Sequence, residues 1–202
     1  MNTISAKPYD ARFAAWLVAP LVDTAVTPNH LTSVRFLVGI AGAVTFALGE
    51  HALAAALLVC LSNFLDHTDG ELARMSGKSS RFGHYFDLVS DALVTIGMFI
   101  GIGLGLVAAL GARAAWMGGI AGLAIAGIFH LRNAIESRHG KSATQQPRFT
   151  GFEAEDVLYL VPVVVLCDGL AVFLHAAAIG APIAFLIVLA QYLAIGRRPR
   201  DA

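Results

Sequence analysis

The sequence predicts an all-α integral membrane protein, six transmembrane helices with an N-terminal interfacial amphipathic helix. Three observations carry that prediction. Of 202 residues, 57% are hydrophobic and 14% charged, and the mean hydropathy is +0.70, too apolar for a water-soluble globule and in keeping with one membrane domain. The apolar residues gather into stretches that approach or exceed the roughly 20 residues needed to cross the hydrocarbon core. Lysine and arginine fall almost wholly at alternate ends of those stretches, as the positive-inside rule requires.

The elements follow in order. The first residues, MNTISAKPYDARF, lack the continuous apolar core of a signal peptide. From about Tyr9 to Val26, Phe13, Trp16, Leu17 and Leu21 fall along one side, with Asp10, Arg12 and Asp23 elsewhere, which predicts a helix lying in the membrane interface. Residues 1–27 are assigned to this helix and residues 28–202 to the bundle, one domain in all. Thr27, Pro28 and Asn29 mark a break and a helix start. The first span follows to about Leu48, the second runs from about Ala52 to Arg74, and the third from about Gly83 to Leu110. A fourth, about Ala114 to Ile135, leads into the longest polar connection, HLRNAIESRHGKSATQQPRFTGFEAED. The fifth covers about Val157 to Ala178 and the sixth Ala181 to Ile195.

With six alternating spans, every lysine and arginine except Arg113 lies at one set of ends. Both termini and the polar stretch between the second and third spans are therefore expected on the cytoplasmic side. Net charge is zero, so no overall field favours nucleic acid, and none is expected as a partner. Cys60 and Cys167 lie in apolar runs, which suggests buried small residues rather than a disulfide or a metal site. Gly97, Gly101 and Gly105 recur every four residues in the third span, as do Gly118, Gly122 and Ala126 in the fourth. Such faces let helices approach closely, within a subunit or between two.

The chemistry concentrates between Asp66 and Asp91. Asp66, Asp69, Gly70 and Ala73 fall at i, i+3, i+4 and i+7, hence on one helix face, with Arg74 one step round. Gly83, Asp87 and Asp91 fall at i, i+4 and i+8, again one face. The polar MSGKSSR between them reads as a short turn, so the two helices run antiparallel and their acidic faces meet at the same end. Four carboxylates so placed repel one another unless cations intervene. Oxygen ligands without histidine or cysteine at ligand spacing favour Mg²⁺ or Mn²⁺ over zinc. Two such ions roughly 3.5–4 Å apart form a clamp suited to in-line displacement at phosphorus. Gly70, Ala73 and Gly83 leave room for a ligand against the backbone, and the Arg74 fork suits a phosphate oxygen.

At these residues the chain resembles the CDP-alcohol phosphotransferase (CDP-alcohol phosphatidyltransferase) family, whose pattern D-x2-D-G-x2-A-R-x8-G-x3-D-x3-D is met by Asp66, Asp69, Gly70, Ala73, Arg74, Gly83, Asp87 and Asp91. The preceding Thr27, Pro28, Asn29, Leu31, Thr32 and Arg35 are similar to a TPNxLTxxR segment that many members carry near the nucleotide. The resemblance implies transfer of a substituted phosphate from a CDP-linked donor to an alcohol, with release of CMP, in phospholipid biosynthesis. It implies two Mg²⁺ or Mn²⁺ ions on Asp66, Asp69, Asp87 and Asp91, with Asp91 the general base. Asn29, Asp69, Gly70, Ala73, Arg74 and Gly83 are the implied donor contacts. It also implies a homodimer through the third and fourth spans. CDP-diacylglycerol with a small soluble alcohol is the expected substrate pair, and a soluble CDP-alcohol with a lipid hydroxyl is the alternative.

Arg132, Arg138, Lys141 and Arg148 would suit a phosphorylated acceptor such as glycerol phosphate or an inositol phosphate, and equally anionic membrane lipid. Glu153, Glu155 and Asp156 point instead toward a polyol or a cationic alcohol. Outside transferase chemistry, a divalent-cation transporter could use intramembrane aspartates but has no use for the arginine and small residues around them. A metal-dependent hydrolase of CDP-lipids would share every site residue and use water.

Overall fold

A computed structural model of the chain describes residues 9–139 and 158–196. Among these, the regular elements are α1 (Tyr9–Val18), a 3₁₀ turn (Ala19–Leu21), α2 (Pro28–Leu48), α3 (Ala52–Ser76), α4 (Arg81–Gly105), α5 (Val107–Leu110), α6 (Arg113–His139), α7 (Val161–Leu166) and α8 (Leu170–Gly196). Four are long and apolar enough to cross a membrane: Pro28–Leu48, Arg81–Gly105, Arg113–Ser137 and Leu170–Ile195. Helix α3 has 25 residues, but its second half carries Asp66, Asp69, Glu71 and Arg74, which interrupt its apolar run.

The local sequence explains the helix ends. Thr27 and His30 form a reciprocal box at the start of α2, with Pro28 in the first turn where its missing N–H costs nothing. Ser80 caps α4, its hydroxyl accepting the Gly83 N–H at 2.9 Å. Gly49 and Gly77 end α2 and α3 in the left-handed conformation.

Helix α2 packs on α3 and α4, α4 on α6, and α6 on α8. A buried cluster including Phe46, Ala55, Val59, Met98, Phe99, Ile102, Ala114, Val161 and Leu174 fills the end away from the aspartates. Leu37, Val44, Leu104, Trp116, Leu123, Val172 and Leu186 point outward, so the bundle presents hydrocarbon all round, as a lipid-facing surface does. The glycine stripes are consumed inside the subunit. A Cβ on Gly101 would strike the Ala43 carbonyl of α2, one on Gly105 the Phe46 carbonyl, and one on Gly118 the Phe99 carbonyl of α4. Gly122 lies against Ile96 in the same way. Close approach of neighbouring helices is thus their use here.

Several expected boundaries shift. The N-terminal helix ends at Val18 rather than near Val26, closing in the 3₁₀ turn that holds Pro20. Among its described side chains Ala14 and Val18 are buried, while Phe13, Trp16 and Leu17 are exposed. The expected third span divides into α4 and the short α5 at Leu106. The larger correction concerns the fifth and sixth spans. The expected break between Ala178 and Ala181 is absent, and α8 runs through it, with Pro182 inside the helix. The break falls earlier, where Asp168 adopts φ 51°. There the Asp168 N–H donates to Val165 O at 3.0 Å and the Gly169 N–H to Val164 O at 2.8 Å, a left-handed helix terminus that satisfies the last carbonyls of α7. An interior proline is tolerated more readily in an apolar bundle than in a soluble helix, so α8 continues through Pro182.

Candidate metal centre

Helix α3 ends and α4 begins at the same end of the bundle, joined by the turn after Gly77. This brings the two acidic faces together as the spacing predicts. Asp66, Asp69 and Asp87 each place a carboxylate oxygen within 4.8 Å of the others. The fourth carboxylate, Asp91, joins them through a shared partner, Arg35 of α2. Its Nε lies 3.2 Å from Asp66 Oδ1 and 3.4 Å from Asp69 Oδ2. Its Nη2 lies 2.5 Å from Asp87 Oδ1 and its Nη1 2.6 Å from Asp91 Oδ1. Nη2 also donates to the Asp87 carbonyl at 3.1 Å. One guanidinium therefore touches all four aspartates.

The four are not equivalent. The Asp69 side chain is 7% exposed and Asp91 41%, so Asp69 is walled in while Asp91 faces open space. Thr32 Oγ1 donates to Asp69 Oδ2 at 2.7 Å, which orients the buried carboxylate. The Ser62 hydroxyl donates to the Arg35 carbonyl at 2.9 Å and ties α2 to α3 at the same level.

The donor set fits a hard divalent cation. It is all oxygen, comes from two antiparallel helices, and is spaced closely enough for one ion or a carboxylate-bridged pair. Four carboxylates against one guanidinium leave a formal charge of −3, which favours further cations.

The expected donor contacts surround this cluster. Asn29, in the first turn of α2, lies against Gly83 of α4: a Cβ on Gly83 would come within 2.6 Å of Asn29 Oδ1. Gly83 thus permits a close approach. Arg74 lies over Gly70, and a Cβ there would sit 3.5 Å from its Nη2. Its side chain is 64% exposed, and Nη2 donates at 2.9 Å to Oε1 of the buried Glu71. Ala73 is half-buried on the same helix.

The acceptor candidates are only partly described. Arg132 is half-buried near the end of α6. Since Gly118 meets Phe99 and Gly122 meets Ile96, the antiparallel register carries Arg132 to about the level of Tyr85–Phe86, close to Asp87 along the bundle. The side chain of Arg138, together with Lys141, Arg148, Glu153, Glu155 and Asp156, lies outside the described residues.

Three features escape a reading of spacing alone. Arg35 and Thr32 stand out only as part of an N-terminal pattern, and nothing local points them at aspartates 31 to 59 residues away. Glu71 could have been found, since it stands three residues before Arg74 on the same helix.

The family model of CDP-alcohol phosphatidyltransferase matches residues 25–190. An archaetidylinositol phosphate synthase of Pyrococcus horikoshii is 36% identical over 85 residues, covering 42% of this chain and 45% of that protein. The chain thus spans less than half the length of that relative. A crystal structure of Mycobacterium tuberculosis phosphatidylinositol phosphate synthase with CDP-DAG bound superposes with a TM-score of 0.71 at 21% identity, covering 95% of this chain and 99% of that one. The same enzyme in complex with manganese and citrate gives 0.63 at 23% identity, covering 96% and 93%.

Proposed function

Because the chain belongs to the CDP-alcohol phosphatidyltransferase family, we propose that it transfers a phosphatidyl-type substituted phosphate from a CDP-linked lipid donor to the hydroxyl of a small polar alcohol. The observation that carries this reading is the convergence of Asp66, Asp69, Asp87 and Asp91 on one point at the end of the bundle. The donor is CDP-diacylglycerol, as in the mycobacterial relative's complex with CDP-DAG. The acceptor is a phosphorylated polyol, an inositol phosphate first. The names of the relatives support that choice, as does Arg132 at the same end of the bundle.

Asp66, Asp69 and Asp87 would hold Mg²⁺ or Mn²⁺, with Asp91 reaching the same ions. Bound there, the ions would neutralise the diphosphate and the departing CMP. Asp91, the most exposed of the four, takes the proton of the attacking hydroxyl. The hydroxyl oxygen forms its bond to the lipid-bearing phosphorus as the diphosphate P–O bond breaks, and CMP leaves. Asn29, Gly70, Ala73 and Gly83 line the donor side, and Arg74 is near enough to meet a phosphate oxygen.

Membrane placement follows the same reading: six crossings, with the termini, the aspartates and the acceptor on the cytoplasmic side, and α1 in the interface. Gly127 meets Phe185, and Phe173 stacks on Phe99, so α8 runs parallel to α6. That the two helices run parallel rather than antiparallel supports the six-crossing reading. The exposed Phe13 and Trp16 support the interfacial helix. A homodimer would have to use outward faces such as Phe82, Tyr85, Val89 and Trp116, since the glycine stripes are occupied.

The test is release of CMP by purified protein offered CDP-diacylglycerol with inositol phosphate, glycerol phosphate, a free polyol or water alone, and a soluble CDP-alcohol with a lipid acceptor. Release dependent on inositol phosphate is expected. Release independent of any alcohol would make the protein a hydrolase, and turnover only with the soluble donor would reverse the donor assignment.

A further inference from the structure

We infer that Arg35 is the built-in counter-ion and positioning residue of the acidic cluster, holding all four aspartates by one carboxylate oxygen each and leaving their second oxygens to cations and, at Asp91, to the proton of the acceptor hydroxyl. The inference deepens the metal-site reading above and rests on it.

The geometry is specific. Arg35 is 2% exposed and meets Asp66 Oδ1, Asp69 Oδ2, Asp87 Oδ1 and Asp91 Oδ1. Only a planar guanidinium, with donors on three nitrogens spread round a fork, can reach carboxylates from two helices at once. A lysine offers one compact charge and cannot span the four. The Nε makes ion pairs but no hydrogen bond of good geometry, so that edge is held by charge.

The backbone around Arg35 is built to keep it there. One turn further along α2, a Cβ on Gly39 would come within 2.6 Å of Val94 Cγ1 and 2.7 Å of Ser62 Oγ. Helix α2 thus lies close to α3 and α4 together, and the Ser62 hydroxyl holds the Arg35 carbonyl. With the main chain so confined, the side chain enters the space between the acidic faces rather than solvent.

The consequence concerns the state before metal binds. Four carboxylates with no cation would drive α3 and α4 apart at this end. Arg35 removes part of that repulsion at all times, so the site is assembled when a cation arrives. A bound cation relieves the same repulsion, and the two should therefore substitute for one another in stability.

Thermal unfolding of the detergent-purified wild type, Arg35→Lys and Arg35→Gln proteins in EDTA and in saturating Mn²⁺ reads this directly. Both variants should unfold at lower temperature in EDTA, by about 5 °C or more for Arg35→Gln. Mn²⁺ should raise both by more than it raises the wild type. If Arg35→Gln does not fold, Arg35→Lys, which keeps the charge and loses the fork, carries the comparison. A loss of the same size in EDTA and in Mn²⁺ would mark an ordinary packing role and overturn the inference, as would variants as stable as wild type in EDTA. No Mn²⁺ shift in any of the proteins would overturn the metal site as well.

Discussion

The Thr32 hydroxyl donates to Asp69 Oδ2 across 2.7 Å, joining the second turn of α2 to the polar end of α3. It holds the most buried of four converging carboxylates in one orientation, while Asp91 is the most exposed of them. Removing that bond should therefore affect metal binding before chemistry. Thr32→Val is expected to weaken Mn²⁺ binding about tenfold or more, in the range seen for partners that orient metal ligands. Thr32→Ser should retain it. Paramagnetic titration of Mn²⁺ checks both.

Metal removal should be decisive. EDTA is expected to abolish CMP release and Mg²⁺ or Mn²⁺ to restore it, because the cluster keeps a formal excess of negative charge beyond Arg35. Asp91→Asn should remove turnover while sparing much of the donor binding, whereas Asp66→Asn or Asp69→Asn should weaken that binding itself. Full activity in EDTA, or the reverse pattern among the variants, contradicts the assignment.

Gly83→Ala places a methyl group within 2.6 Å of Asn29 Oδ1. Overpacking of this kind costs about 1–3 kcal/mol, and Asn29 is the group that must move. The expected result is a rise of about tenfold in KM for the CDP donor with a smaller change in kcat. Adding Asn29→Ala would remove the clash, so a double variant no worse than Asn29→Ala alone would locate the effect at that contact.

The glycine faces separate two uses by a simple measurement. Gly101→Ala and Gly118→Ala each direct a methyl group at a backbone carbonyl of the neighbouring helix. Both should lower the unfolding temperature of the subunit by several degrees. Subunits that separate without loss of stability would instead assign the stripes to a dimer contact.

Sidedness can be read with introduced cysteines, in a background where Cys60 and Cys167 are replaced. Ser79→Cys, in the turn beside the aspartates, should be labelled by an impermeant thiol reagent only from the cytoplasmic side. Arg113→Cys, at the far end of α6, should be labelled only from the other side. Opposite labelling would reverse the orientation.

The sequence by itself determined what is local. Residues three and four apart share a helix face, so Asp66, Asp69, Gly70 and Ala73, then Gly83, Asp87 and Asp91, could be sorted onto two faces, and the short turn at Gly77 forced those faces together. Tertiary structure decided what stands opposite each face, because helical periodicity says which residues look outward together and nothing about what they meet. Arg35 and Thr32 reach the aspartates from α2, Asn29 reaches Gly83, and the glycine stripes close on α2 and α4 inside the subunit. The chain break at Asp168 rather than Gly180 was likewise a matter of which helix terminus could satisfy its own carbonyls. An interior proline is tolerated in an apolar membrane helix, and α8 runs on through Pro182.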